Sequence, residues 1–193
     1  KAGCPLVFKG GTALMLILGK SAHRLSIDID VICPPGTNIE DYLKSFADFG
    51  FINLELVERK QRDDADIPKS HSKFFYQIAY RNDTDAQSYI LLDVLYEDIH
   101  YFQTRQIAID CPFIRLEGEP LMVTVPSAED ILGDKLTAFA PNTTGIPYYK
   151  NGRSCSMEIA KQLYDVGRLF ENVSGLQITA KAFRKIAVVE LSY

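Results

Sequence analysis

The spacing of apolar residues changes along the chain, and each change marks an element. Leu6 to Lys9 is a short apolar run that ends in Gly10-Gly11, which predicts a strand followed by a turn. Thr12 to Gly19 is apolar on nearly every side and reads as a buried helix. Ser26 to Cys33 sets Ile27, Ile29 and Val31 against Asp28, Asp30 and Ile32, the period of a strand with one partly polar face, and Pro34-Pro35-Gly36 ends it. Ile39, Leu43, Phe46 and Ala47 give Asn38 to Phe49 helical spacing, and Phe51 to Val57 reads as a strand. Arg59 to Ser72 is charged, carries Pro68 and predicts an exposed loop. Lys73 to Arg81, Tyr89 to Glu97 and Leu121 to Val125 are further predicted strands, the first two flanking a turn at Asn82-Asp83-Thr84-Asp85. Gln103 to Ile109 and Phe113 to Leu116 read as short edge strands.

After Pro126 the pattern becomes helical. Ser127-Ala128-Glu129-Asp130 has the form of a capping box, and Ile131, Leu132, Lys135, Leu136 and Phe139 continue the helix. A loop from Pro141 to Arg153 follows, then helices over Met157 to Phe170 and Ile178 to Val189. The expected class is α+β: a mixed sheet with flanking helices in residues 1–126, then a helical region in residues 127–193.

Composition narrows this only a little. With 193 residues, 47% hydrophobic and 24% charged, the chain has the balance of a soluble globular protein with a core of its own. No apolar run approaches the roughly 18 to 20 residues that span a bilayer, so neither membrane insertion nor a signal peptide is expected, and the expected location is cytoplasmic. The four cysteines (Cys4, Cys33, Cys111 and Cys155) form no C-x-x-C pair and are expected to be reduced thiols. A net charge of −4 argues against a generally basic nucleic-acid binder. Residues 1–110 hold 12 Lys+Arg and 16 Asp+Glu, hence −4, and residues 111–193 hold 9 of each, hence 0. An RNA contact would therefore need a local basic face, with Lys150, Arg153, Lys161, Lys181, Arg184 and Lys185 as candidates.

The acidic half holds the candidate chemistry. Asp28 and Asp30 are two apart in a strand, so they point to one face about 7 Å apart and can converge on one or two hard cations. Taken alone, such a pair is equally a solvated strand edge. Eighteen residues before Asp28 stands Gly10-Gly11-Thr12, between strand and helix, where glycines admit a close ligand and the helix start offers N–H groups to anionic oxygens. The spacing is not that of a Walker P-loop, and a plain structural turn is the other reading. Asp93 lies inside the apolar run Tyr89 to Tyr96, where a buried charge costs several kcal/mol without a partner. A metal shared with Asp28 and Asp30 is one such partner, and a buried Lys or Arg is the other. His23, His71 and His100 are scattered and receive no role.

The combined stretch FKGGTALMLILGKSAHRLSIDID is far more specific than its parts. It resembles the opening motifs of the nucleotidyltransferase superfamily, a Gly-Gly turn followed by a D-x-D strand. More narrowly it resembles the AbiEii/AbiGii toxin family, with Phe8, Gly10, Gly11, Thr12 and Leu14 matching F-x-G-G-T-x-L and Arg24, Ser26, Asp28 and Asp30 matching R-x-S-x-D-x-D. The resemblance runs on to about Phe170. The family's acidic-then-lysine step falls on Asp134-Lys135, and its final K-D-x-y-D-l motif on Lys161, Tyr164 and Asp165, with Gln162 where an acidic residue is common.

The resemblance implies a nucleotidyltransferase-like mixed sheet and a metal site of Asp28, Asp30 and Asp93 holding Mg2+, two ions in all. Asp165 would organise that site as a fourth catalytic residue. Gly10, Gly11, Thr12 and Lys135 would cradle the triphosphate, and Arg24 and Ser26 would support the strand that presents the acids. Without the resemblance, Lys135 reads as solvated and Asp165 as a partner of Lys161. The implied activity is nucleotidyl transfer from a nucleoside triphosphate to an RNA such as tRNA, by a toxin with a cognate antitoxin. An acceptor that is a small hydroxylated molecule, and a non-catalytic nucleotide-binding module, are the alternatives.

Overall fold

A computed structural model describes residues 3–26, 28–57, 69–77, 87–110 and 116–193. Its main sheet has five strands in the order β1-β2-β5-β4-β3: β1 (Val7–Phe8), β2 (Asp28–Cys33), β3 (Asn53–Val57), β4 (Lys69–Gln77) and β5 (Gln87–Tyr96). β2 and β5 are parallel and the other three pairs are antiparallel, so the sheet is mixed.

The alternation read in β2 is what divides the two faces of this sheet. Ile29, Val31 and Cys33 join Leu92 and Val94 of β5 in an apolar cluster that Ile39 and Leu43 cover from the short helix α2 (Glu40–Leu43) and its approach. Asp28 and Asp30 occupy the opposite face, as period two requires.

The second core is helical. α1 (Gly10–Leu18), α3 (Ala128–Leu136) and α4 (Ser156–Phe170) bury Ala13, Leu14, Ile131, Leu132 and Leu169 against one another. Each fully buried leucine or isoleucine here stabilises the fold by about 1.5–3 kcal/mol. α5 (Gln177–Leu191) packs along α3, burying Thr179, Ala182 and Ile186. Ser127 caps α3 as its sequence implies, with its hydroxyl accepting from the Asp130 amide at 3.1 Å. Asp130 in turn accepts from the amides of Phe102 and Gln103, which ties the helix to the loop before β6 (Thr104–Ala108), the partner of β7 (Met122–Pro126).

Several boundaries differ from the expectations. α1 begins at Gly10, so the two glycines form its first turn instead of preceding it. The helix expected over Asn38–Phe49 breaks into α2 and a 3₁₀ turn at Phe46–Phe49, and no residue of either piece is buried. With no buried stripe, nothing in tertiary packing sustains a longer helix. Within the expected loop Arg59–Ser72, residues 59–68 lie outside the described residues, while Lys69 to Ser72 open β4 and pair with Leu95 through Leu92 of β5. The expected loop Pro141–Arg153 contains a hairpin of β8 (Tyr149–Lys150) and β9 (Arg153–Ser154). The turn at residues 82–85, Cys111, and residues 113–115 of the expected edge strand fall outside the described residues. Cys4, Cys33 and Cys155 are free thiols. Among the described residues no helix is long and apolar enough to cross a membrane.

Candidate active site

Register brings the acids together. In the parallel pair β2·β5, Asp30 stands opposite Asp93 and Asp28 opposite Leu91, so Asp28, Asp30 and Asp93 share one face of the sheet. In the antiparallel pair β5·β4, Asp93 stands opposite His71, and His71 Nδ1 lies 2.7 Å from Asp93 Oδ1. A single row across the sheet therefore reads Asp30, Asp93, His71. Among the described residues, no three acidic, histidine or cysteine side chains are already gathered at metal-holding distances. The carboxylates are neighbours on a common face without forming a closed coordination shell.

Gly10 packs against the Asp30 end of this row. Its φ is +59°, and a Cβ on it would overlap the Asp30 carboxylate. Only glycine lets the start of α1 approach the acid so closely. A Cβ on Gly11 would lie 2.7 Å from Ser26 Oγ and 2.9 Å from Arg24 Nη2, so both glycines are fixed by what packs on them. Ala13 N donates to Lys9 O at 3.1 Å, which leaves the amides of Gly10, Gly11 and Thr12 as the helix N–H groups without an intrahelical acceptor. Such amides favour an anion.

Thr12 and Ser26 serve the strand. Thr12 Oγ1 donates to Asp28 O at 2.8 Å and Ser26 Oγ to the same carbonyl at 3.1 Å, and the two hydroxyls together fix where β2 begins.

Arg24, Lys135 and Asp165 form a separate buried cluster. Arg24 Nε and Nη2 donate to the two oxygens of Asp165 at 2.6 Å each, and Lys135 Nζ reaches Asp165 Oδ2 at 2.8 Å. Lys135 also donates to Gln162 Oε1 at 3.0 Å. Burial acts to raise the Asp165 pKa, but the Arg24 hydrogen bonds and the Lys135 charge outweigh it and hold the carboxyl below its ordinary range. Both its oxygens are occupied, so Asp165 anchors α4 to the loop before β2. Lys161, the alternative partner one turn away, is not the residue it meets.

These elements border a cleft of about 1180 Å³ that reaches Gly10, Asp30, His71 and Lys135 and also takes in Lys9, Lys69, Asp134 and Glu190. Burial raises the Asp30 pKa, with the Asp93 and Asp28 carboxylates adding to the effect and Lys9 and Lys135 opposing it. Lys9 shows the reverse balance: burial acts against its charge, yet Asp134, Glu97, Asp30 and Glu190 together raise its pKa. Burial lowers Lys69, Lys9 adds to this, and Glu190, Glu97 and Asp93 oppose it. The cleft brings carboxylates, lysines and Gly10 at the start of α1 together, with Lys9 Nζ 3.8 Å from Asp134 Oδ2, and such a mixed lining suits a polyphosphate bound together with metal.

Three residues of the cleft, His71, Lys9 and Lys69, belong to no motif in the sequence. Lys69, His71 and Lys73 alternate with Ser70 and Ser72, a period of two that marks a strand with one basic face. That alternation is hidden because neither face is apolar.

No curated protein matches the sequence. The crystal structure of JHP933 from Helicobacter pylori is similar over 99% of this chain and 85% of its own, at 17% identity and a TM-score of 0.43. The family model described as "Nucleotidyl transferase AbiEii toxin, Type IV TA system" matches residues 1–190. With that match spanning nearly the whole sequence, the chain belongs to the AbiEii family of nucleotidyl transferase toxins and has a nucleotidyltransferase-like fold.

Proposed function

We propose that the protein transfers a nucleoside monophosphate from a nucleoside triphosphate to a hydroxyl of RNA, tRNA being the leading acceptor, as the toxin of a toxin–antitoxin pair. The observation that carries this reading is the register of Asp30 with Asp93, with Gly10 packed against Asp30 in a cleft that lysines also line. In the reaction the acceptor hydroxyl loses its proton to solvent and its oxygen bonds to the α-phosphorus, while the bond from that phosphorus to the α–β bridging oxygen breaks and pyrophosphate leaves with that oxygen and its electron pair.

Asp28, Asp30 and Asp93 fit magnesium, being hard oxygen donors on adjacent strands of one face, with burial and mutual repulsion at Asp30 that a cation relieves. Bound there, two magnesium ions would neutralise the triphosphate and acidify the acceptor hydroxyl. The protein's own share is binding and orientation. The Gly10, Gly11 and Thr12 amides receive phosphate oxygens, and Lys9 and Lys69 add positive charge to the cleft. His71 fixes one oxygen of Asp93, so the carboxylate presents the other in a defined direction. Arg24 and Asp165 act one layer back as positioning residues, since Arg24 packs on Gly11 while both Asp165 oxygens are engaged. Lys135 lines the cleft beside Asp30, though its ammonium is shared with Asp165 and Gln162.

Incubation with α-labelled triphosphates, magnesium and total RNA tests the reading. Label on RNA that is lost in Asp30→Asn is the expected result. Label confined to small molecules would move the acceptor to that class, and no transfer with retained triphosphate binding would identify a non-catalytic module.

A further inference from the structure

We propose that one face of the β8–β9 hairpin docks an unpaired RNA strand and leads its end into the cleft, an inference that rests on the nucleotidyl transfer reading. A tight turn closes the hairpin. Asn151 (φ 51°) and Gly152 (φ 75°) supply the two successive left-handed residues of a two-residue turn between Lys150 and Arg153.

Its register sorts the side chains. Lys150 pairs with Arg153 and Tyr149 with Ser154, and Cys155 N donates to Tyr148 O at 2.9 Å. Alternation then puts Tyr148, Lys150, Arg153 and Cys155 on one face and Tyr149 and Ser154 on the other. Cys155 is buried and, with Lys150, lines the same cleft as Asp30, so the first face continues the cleft wall outward.

Two features of that face call for an anionic, aromatic-binding partner. Like charges directly opposite each other destabilise a two-stranded ribbon, yet Lys150 and Arg153 stand so, and among the described residues neither has an ion-pair partner. Tyr148, next but one to Lys150, is 63% exposed. A strand of alternating phosphates and bases answers both, with phosphates on the two cations and a base stacked on Tyr148. A duplex keeps its base faces covered, so the fitting ligand is unpaired.

Anisotropy titrations with a dye-labelled single-stranded RNA oligonucleotide, and with the same strand annealed to its complement, test the proposal. Tyr148→Ala is expected to weaken single-strand binding on the order of tenfold. The double variant Lys150→Ser/Arg153→Ser is expected to reduce the slope of log K against log salt by about 1.4, roughly 0.7 for each lost phosphate contact. Tyr149→Ala, on the opposite face, is expected to bind as the parent does, and triphosphate affinity is expected to stay unchanged in Tyr148→Ala and Tyr149→Ala. If the parent labels RNA while the hairpin variants bind it unchanged, or if Tyr149→Ala loses as much as Tyr148→Ala, the hairpin assignment is overturned alone. Duplex binding equal to single-strand binding overturns the unpaired assignment. Failure of the parent to label any RNA removes the acceptor reading beneath it.

Discussion

Arg24 and Asp165 stand 141 residues apart in sequence and meet as a two-pronged ion pair, each prong 2.6 Å long. The fully buried Asp165 carries the combined charge of Arg24 and Lys135, so Asp165→Asn leaves two cations facing a neutral amide. Removing one partner from a buried pair costs about 3–5 kcal/mol, and urea unfolding is expected to show a loss of that size. The pH dependence follows from the lowered Asp165 pKa. A carboxyl depressed in the fold stabilises above its unfolded pKa, ordinarily 3.8, and that stabilisation is lost as pH falls through the lower folded value. The parent is therefore expected to lose melting temperature more steeply below about pH 4 than Asp165→Asn does. Parallel acid profiles for the two proteins would remove Asp165 as the anchor.

Gly10→Ala sets backbone strain and collision against the site at once. A left-handed alanine costs about 1–2 kcal/mol, and its methyl group must displace the Asp30 carboxylate. A shift of the order of 1 Å in a catalytic group can cost roughly 100-fold in rate, so transfer is expected to fall by about that much while the fold survives. Gly167→Ala is the matched control: it lies within α4 with no positive φ and open space around its Cα. There the change is expected to leave transfer intact and add about 0.5–1 kcal/mol of stability. Equal activity in the two variants would detach Gly10 from the site.

What was legible in the sequence was local. β2 announces itself because its apolar residues alternate with Asp28 and Asp30, and α3 because Ser127 and Asp130 cap it. The first half of β4 was hidden, since Lys69, Ser70, His71 and Ser72 hold no apolar residue to set a period, and only pairing with β5 makes them a strand. The hairpin at Tyr149–Ser154 was hidden for a different reason: its strands are two residues each, too short for any periodicity. Asp28, Asp30 and Gly10 were visible because a motif ties them within a short stretch. The Asp93–His71 and Arg24–Asp165 pairs depend on strand register and helix packing, which no local pattern encodes.

His71 follows from register alone and offers a test of the site that leaves its carboxylates intact. Its Nδ1 holds Asp93 Oδ1 at 2.7 Å, so His71→Ala frees that carboxylate to turn. Partners of this kind contribute about 10- to 100-fold to activity or metal affinity. Turnover is expected to drop within that range with triphosphate affinity retained, and His71→Asn, which keeps a hydrogen-bonding group, is expected to recover part of it. A parental rate in His71→Ala would reduce the contact to a structural one.

Asp30→Asn separates stability from chemistry. Burial, with Asp93 and Asp28 beside it, raises the Asp30 pKa, so the fold prefers this group uncharged. The sign is opposite to that of Asp165: stability is greatest below the unfolded pKa and is lost as pH rises through the raised folded value. Asparagine mimics the uncharged form, so the variant is expected to melt at the parental temperature or above it at neutral pH. Its chemistry moves the other way, because asparagine cannot supply the anionic oxygen that magnesium requires. A ligand at 100 times its Kd stabilises by about 2.7 kcal/mol, and the parent is expected to gain on that order from magnesium with a triphosphate. Asp30→Asn is expected to gain much less and to transfer no label. A variant that melts well below the parent would make Asp30 a structural residue, and one with full turnover would take the metal site out of the reaction.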